Sequence, residues 1–110
     1  MVRTPLTLLQ GSLDLLVLGA LAGGAAHGYG VATIVSERSQ GALAIEDAAL
    51  YQALHRLERR GLVSAHWGLS DNNRRARFYT LTVTGRKRLR DEAGTWRRYA
   101  KAVSQVLAGV

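Results

Sequence analysis

The sequence predicts a mostly α-helical single domain carrying one small β-hairpin, and three observations lead there. Apolar residues recur at helical spacing in three segments before Gly61. Two short runs rich in β-branched and aromatic residues then flank the polar tetrapeptide Ser70-Asp71-Asn72-Asn73. Last, Leu89, Ala93, Trp96, Ala100, Val103 and Leu107 follow one another at intervals of 4, 3, 4, 3 and 4, an a/d seam on a long helix. With 110 residues, 47% of them hydrophobic, the chain is long enough for one domain with its own core. No repeat or Pro/Ser-rich linker divides it.

The elements follow in order. Thr7-Leu-Leu-Gln10 has capping-box spacing and predicts the start of a first helix. Leu13, Leu16, Val17, Ala20 and Leu21 form its apolar stripe, and Ala22-Gly23-Gly24 stops it. A second helix is expected from Gly28 to about Ser39, with Val31, Ile34 and Val35 inward and Gly41 after its end. Asp47 can cap a third helix, which closes at Gly61 with Arg59 and Arg60 in its last turn, where cations suit the helix dipole. Strands are expected over Leu62–Trp67 and Arg77–Leu81, joined by the polar turn. Thr82 or Thr84 can cap a last helix reaching about Leu107. Three helices, a hairpin and a further helix make a winged helix-turn-helix with a C-terminal dimerisation helix. Residues 1–82 are assigned to DNA binding and 83–110 to dimerisation, within one compact unit.

Charge narrows the partners. The formal net charge is +7, and it is unevenly placed. Residues 1–55 carry two basic and four acidic groups, whereas residues 56–101 carry thirteen basic and four acidic ones. A basic second half presents one face to a polyanion. Zero cysteines exclude disulfides, thiol chemistry and the usual zinc-finger spacings. The three histidines, His27, His55 and His66, fall in three different elements, and none has an acid at the i, i+4 metal-ligand spacing, so neither a metal nor a cofactor is expected. Gly23-Gly24 joins two helices rather than following a strand, so it is no dinucleotide loop. Nothing favours a Ser/His/Asp triad, and an enzyme is not expected. No apolar run approaches the roughly 20 residues of a membrane span. Arg3 followed by the apolar segment 12–22 loosely fits a signal peptide, but Asp14 interrupts it and the core needs it. A cytoplasmic protein is expected.

On the third helix, Leu50, Ala53, Leu54 and Leu57 fall within about 100° of one another, a core stripe. Gln52, His55 and Arg59 lie roughly opposite, flanked by Tyr51 and Arg56. All five are groups that bond base edges or phosphates; Gln pairs with adenine, and Arg with guanine or phosphate. Small Ala48 and Ala49 let the helix approach a groove floor. Arg74, Arg75 and Arg77 follow the hairpin turn beside Asn72 and Asn73, suited to backbone or minor-groove contact. The seam residues of the last helix are read as a homodimer interface, with Trp96 either an anchor of that interface or a flat wall for a planar apolar effector.

Four stretches together carry a resemblance. Leu13-Asp-Leu-Leu-Val-Leu, His27-Gly-Tyr-Gly, Leu50-Tyr-Gln-Ala-Leu-His-Arg-Leu-Glu-Arg-Arg-Gly and Asn73-Arg-Arg-Ala-Arg-Phe-Tyr-Thr-Leu-Thr resemble the PadR family of bacterial transcriptional regulators, over about residues 6 to 108. The chain looks closest to its short class with one C-terminal helix, and to the acidobacterial-type subgroup through Asn72-Asn73-Arg74-Arg75. The resemblance implies a homodimer that binds double-stranded DNA at a palindromic operator, usually as a repressor. It places Tyr51, Gln52, His55 and Arg56 on the recognition helix, Arg74, Arg75 and Arg77 on the wing, and Tyr29 near the DNA backbone. Some short members hold planar drugs between paired tryptophans at the dimer centre, and Trp96 occupies the matching place. One departure stands out. Many relatives have Pro or Gly-Ser before the Leu-Tyr of helix three and Pro after it. Here Ala48-Ala49 and Gln52 stand there, so no operator preference carries over. The competing readings are a nonspecific nucleoid-type or RNA-binding protein and a protein-interaction module.

Overall fold

The computed structural model describes residues 6–9 and 11–110. Helix α1 spans Leu13–Ala20 and runs on into a short 3-10 turn, Leu21–Gly23. Strand β1 is Ala26–His27, followed by α2, Gly28–Arg38, and α3, Asp47–Arg59. Strands β2, Val63–Leu69, and β3, Arg75–Leu81, form the hairpin, and α4 covers Val83–Leu107. This is a winged-helix fold, with the three N-terminal helices stacked beside an antiparallel sheet of order β1-β3-β2.

The start of α1 differs from expectation. The Thr7–Gln10 pair does not open it; Ser12 is its N-cap, and Gln10, like Arg3, lies outside the described residues. Gly11 adopts φ +83°, a left-handed backbone that ends any helix begun before it. The Ser12 hydroxyl turns back to donate to the Leu9 carbonyl at 2.7 Å. Helix α2 starts where expected, capped by His27, whose Nδ1 accepts from the Gly30 amide at 3.0 Å. The cap of α3 shifts by one residue. Extended Glu46 is the N-cap, and Asp47 lies in the first turn, where its charge faces the positive end of the dipole. Gly61, at φ +73°, terminates α3 as expected.

The sheet is larger than the sequence suggests. Both hairpin strands extend further toward the tip, so Arg75 and Arg77 are strand residues, and the loop contracts to residues 70–74 around left-handed Asn73. Strand β1 pairs Ala26 with Tyr79 and His27 with Phe78, adding a third strand. Two residues are too few for any period to announce them. Thr82, rather than Thr84, caps α4. Its hydroxyl accepts from the Gly85 amide at 2.9 Å and donates to the Gly61 carbonyl at 2.7 Å, tying the helix start to the end of α3.

The core joins Leu18 and Leu21, Val31 and Val35, the α3 stripe Leu50, Ala53, Leu54 and Leu57, and Val63, Tyr79 and Leu81 of the sheet. Burying each leucine of that stripe contributes about 1.5–3 kcal/mol. That fixes which face of α3 turns inward, and therefore which face is left outside. Gly85 lies so close to β2 that a Cβ there would collide with the Leu62 carbonyl, which locks α4 onto the hairpin base.

Candidate nucleic-acid interface

With Leu50, Ala53, Leu54 and Leu57 pinned in the core, α3 presents Ala48, Tyr51, Gln52, His55 and Arg59 to solvent, and Ala49 is half-buried. Among the described residues, the side chains of Tyr51, Gln52, His55 and Arg59 make no hydrogen bond or ion pair within the chain. They are unengaged donors and acceptors on a rigid helix, which is what base readout requires. Tyr51 packs closely on a glycine: a Cβ on Gly28 would lie only 2.9 Å from the ring edge and hydroxyl. The start of α2 thereby touches the exposed face of α3. Tyr29, 77% exposed in the first turn of α2, projects beside it and stacks on His27 at 6.4 Å between ring centroids.

Two arginines read as interface residues are engaged elsewhere. Arg56 forks onto Asp14 of α1, its Nε donating to Oδ2 at 3.2 Å and a terminal nitrogen to Oδ1 at 2.5 Å, while Arg60 stands 3.9 Å from the same carboxylate. The bond to Asp14 raises the Arg56 pKa further. Arg77 donates to Glu58 of α3 at 2.8 Å and lies 5.9 Å from the Tyr79 ring centre. These pairs clamp α3 to α1 and to the hairpin. Arg59 at the end of α3, with Arg74 and Arg75 on the wing, keep their charge unpaired among the described residues. Sequence reasoning missed the clamps, although Asp14, a lone carboxylate in an apolar helix, was their one visible sign. Burial pushes the Tyr79 phenol above its ordinary pKa, so it stays neutral in the core beneath Arg77.

The wing is a lever built on β3. Asn73 takes φ +58°, and the Ser70 amide and Arg74 carbonyl close the loop at 2.8 Å. Exposed Asn73, Arg74 and Arg75 sit at this far end of the hairpin. Leu89, Ala93 and Trp96 of α4 line an apolar groove of about 990 Å³ together with Leu9, Leu15, Leu16 and Ile34. The seam thus divides. Leu89 packs against this chain's own core, whereas Val103 and Leu107 are exposed and Ala100 is half-buried. Among the described residues no cluster of His, Asp or Glu could hold a metal ion, and no helix is long and apolar enough to cross a membrane.

Comparison with known proteins agrees with this geometry. The model of the transcriptional regulator PadR-like family matches residues 17–91, from α1 into α4. An uncharacterized protein of Lysinibacillus sphaericus is 26% identical, covering 100% of this chain and 99% of its own. A PadR family transcription regulator of Clostridium difficile superposes with a TM-score of 0.77 at 29% identity, over 89% of this chain and 100% of that one. Bacillus subtilis PadR, solved in complex with operator DNA, shares the fold with a TM-score of 0.65 at 23% identity, over 74% of this chain and 46% of that one. With more than half its length matched by the family model, this chain belongs to the PadR-like family of transcriptional regulators.

Proposed function

We propose that the chain is a homodimeric repressor that reads a palindromic operator in double-stranded DNA. Residues 1–82 do the reading and residues 83–110 the pairing. The observation that carries this is the outer face of α3, where Tyr51, Gln52 and His55 point away from a helix held by four core residues and two ion-pair clamps. Helix α3 enters the major groove with Ala48 and Ala49 leading. The wing lays Asn73, Arg74 and Arg75 along the flanking minor groove, and Tyr29 reaches the backbone. Arg56 and Arg77 support this surface from behind through Asp14 and Glu58.

A dimer is supported by α4. Its last turns have no packing of their own, and a helix of this kind is marginal in water without a partner. The apolar groove beside Leu89, Ala93 and Trp96 is the complementary surface, so Ala100, Val103 and Leu107 of a second copy can be buried there. Trp96, 39% exposed on the groove wall, also offers a flat face to a small planar apolar effector that would release the DNA in the cytoplasm.

Binding to operator and random duplex across a salt series tests the reading. The operator should bind about 10³-fold or more tighter. Gln52→Ala should relax base preference by about 1–3 kcal/mol, whereas Arg75→Ala should flatten the salt slope by about one unit. Equal affinity for operator and random DNA would leave a nonspecific nucleic-acid binder instead. A panel of planar aromatic compounds should quench Trp96 and weaken operator binding together; an unquenched, intact dimer would leave Trp96 as packing only.

A further inference from the structure

Trp67 is the largest exposed side chain of the hairpin, yet no core residue explains it. It is 60% exposed, and Leu69 beyond it is 66% exposed. Along β2, the face of Val63, Ala65, Trp67 and Leu69 is shared in register with Leu81, Tyr79, Arg77 and Arg75 of β3. At its inner end Val63, Tyr79 and Leu81 are core. In the middle, Arg77 is tied to Glu58 of α3, so this face turns toward the side of the molecule where α3 lies. At its outer end only Trp67, Leu69 and Arg75 remain, and the Arg75 guanidinium lies 4.7 Å from the Trp67 ring centre. Trp67 and Arg75 are diagonal across the ladder, close enough for long side chains to meet.

From this we infer that Trp67 is a positioning residue for the DNA contact of the wing: its indole face holds Arg75 at a fixed angle for the minor groove. The inference rests on the reading that the wing binds DNA. An arginine carries a large rotamer entropy, and a long exposed one loses much of its binding energy when it is ordered on DNA. A ring already under the guanidinium removes much of that loss. The cation–π attraction also strengthens when the minor groove excludes water from the pair. Arg74, its neighbour, has no such ring among the described residues.

A double-mutant cycle on the full-length protein tests this, using Trp67→Leu, Arg75→Ala and their combination, with Trp67→Phe as the conservative variant. Operator affinity is measured at several salt concentrations, beside thermal melting. Trp67→Leu should lose about tenfold in affinity, and the double variant should fall within about twofold of Arg75→Ala alone. Trp67→Phe, which keeps a π face, should retain affinity within about threefold of the parent. Losses that multiply, or Trp67→Leu binding like the parent, would overturn the inference. A pair that only stapled the strands would lower the melting temperature while Trp67→Leu, once folded, bound operator like the parent. If the parent itself does not prefer operator over random duplex, the functional reading fails first, and that result is distinct from an additive cycle.

Discussion

Gly28 sets the reading surface through its missing side chain. A Cβ there would come within 2.9 Å of the Tyr51 ring, so the bare first residue of α2 leaves room for a phenol on α3. Tyr51 is half exposed, and its ring can swing outward if crowded. Gly28→Ala should therefore keep the melting temperature within a few degrees while lowering operator affinity about three- to tenfold, roughly the worth of one or two hydrogen bonds. Calorimetry beside a binding titration checks this, and a large loss of stability without any loss of affinity would refute it. Tyr51 was legible as an outward residue from the 3.6-residue period alone. Its support was not, because nothing in the local pattern links positions 28 and 51. The same holds for Arg56 and Arg77. Arg56 read as an interface cation from its angle on the third helix and Arg77 from its place after the turn, but Asp14 lies 42 residues from Arg56, and Glu58 lies 19 residues from Arg77. The lone carboxylate of Asp14 in an apolar helix hints that a partner exists, but no local pattern says which cation the fold brings to it.

At the scale of elements, legibility tracked length and cap chemistry. Helix α3 stood out because four core residues and five polar ones segregate to opposite sides. The Thr82 cap followed from residue type and position. The start of α1 did not, because capping-box spacing at Thr7 competes with the left-handed turn at Gly11, and backbone conformation prevailed. Helix α4 gives the clearest consequence. Its first turns pack on α1 and the hairpin base, while every residue from Lys101 onward is exposed. Val103→Glu should therefore leave the monomer fold intact, since Val103 touches none of its core. It should also disfavour pairing by placing a charge in an apolar seam. Sedimentation at micromolar concentration should show the parent as a dimer and the variant as a folded monomer with weakened operator binding. A dimeric variant with unchanged affinity would move the interface elsewhere.

At the scale of the molecule, the charge is sorted by use. Of the six basic residues on α3 and the hairpin, Arg56, Arg60 and Arg77 face carboxylates, and Arg59, Arg74 and Arg75 face none among the described residues. The structural extents of 52 × 38 × 21 Å and radius of gyration of 15.2 Å exceed the roughly 13 Å of a compact chain this long, because α4 projects from the domain. An elongated subunit with an exposed α3 face and an uncovered last helix supports the proposed two-fold pair. That geometry sets the spacing of the DNA it reads. Binding-site selection from random duplexes, followed by footprinting of the enriched sequence, tests this most directly. A two-fold-symmetric site is expected, its half-sites one helical turn, about 34–36 Å, or a multiple of it apart. Enrichment of a single asymmetric site, or no enrichment over the starting pool, would contradict it.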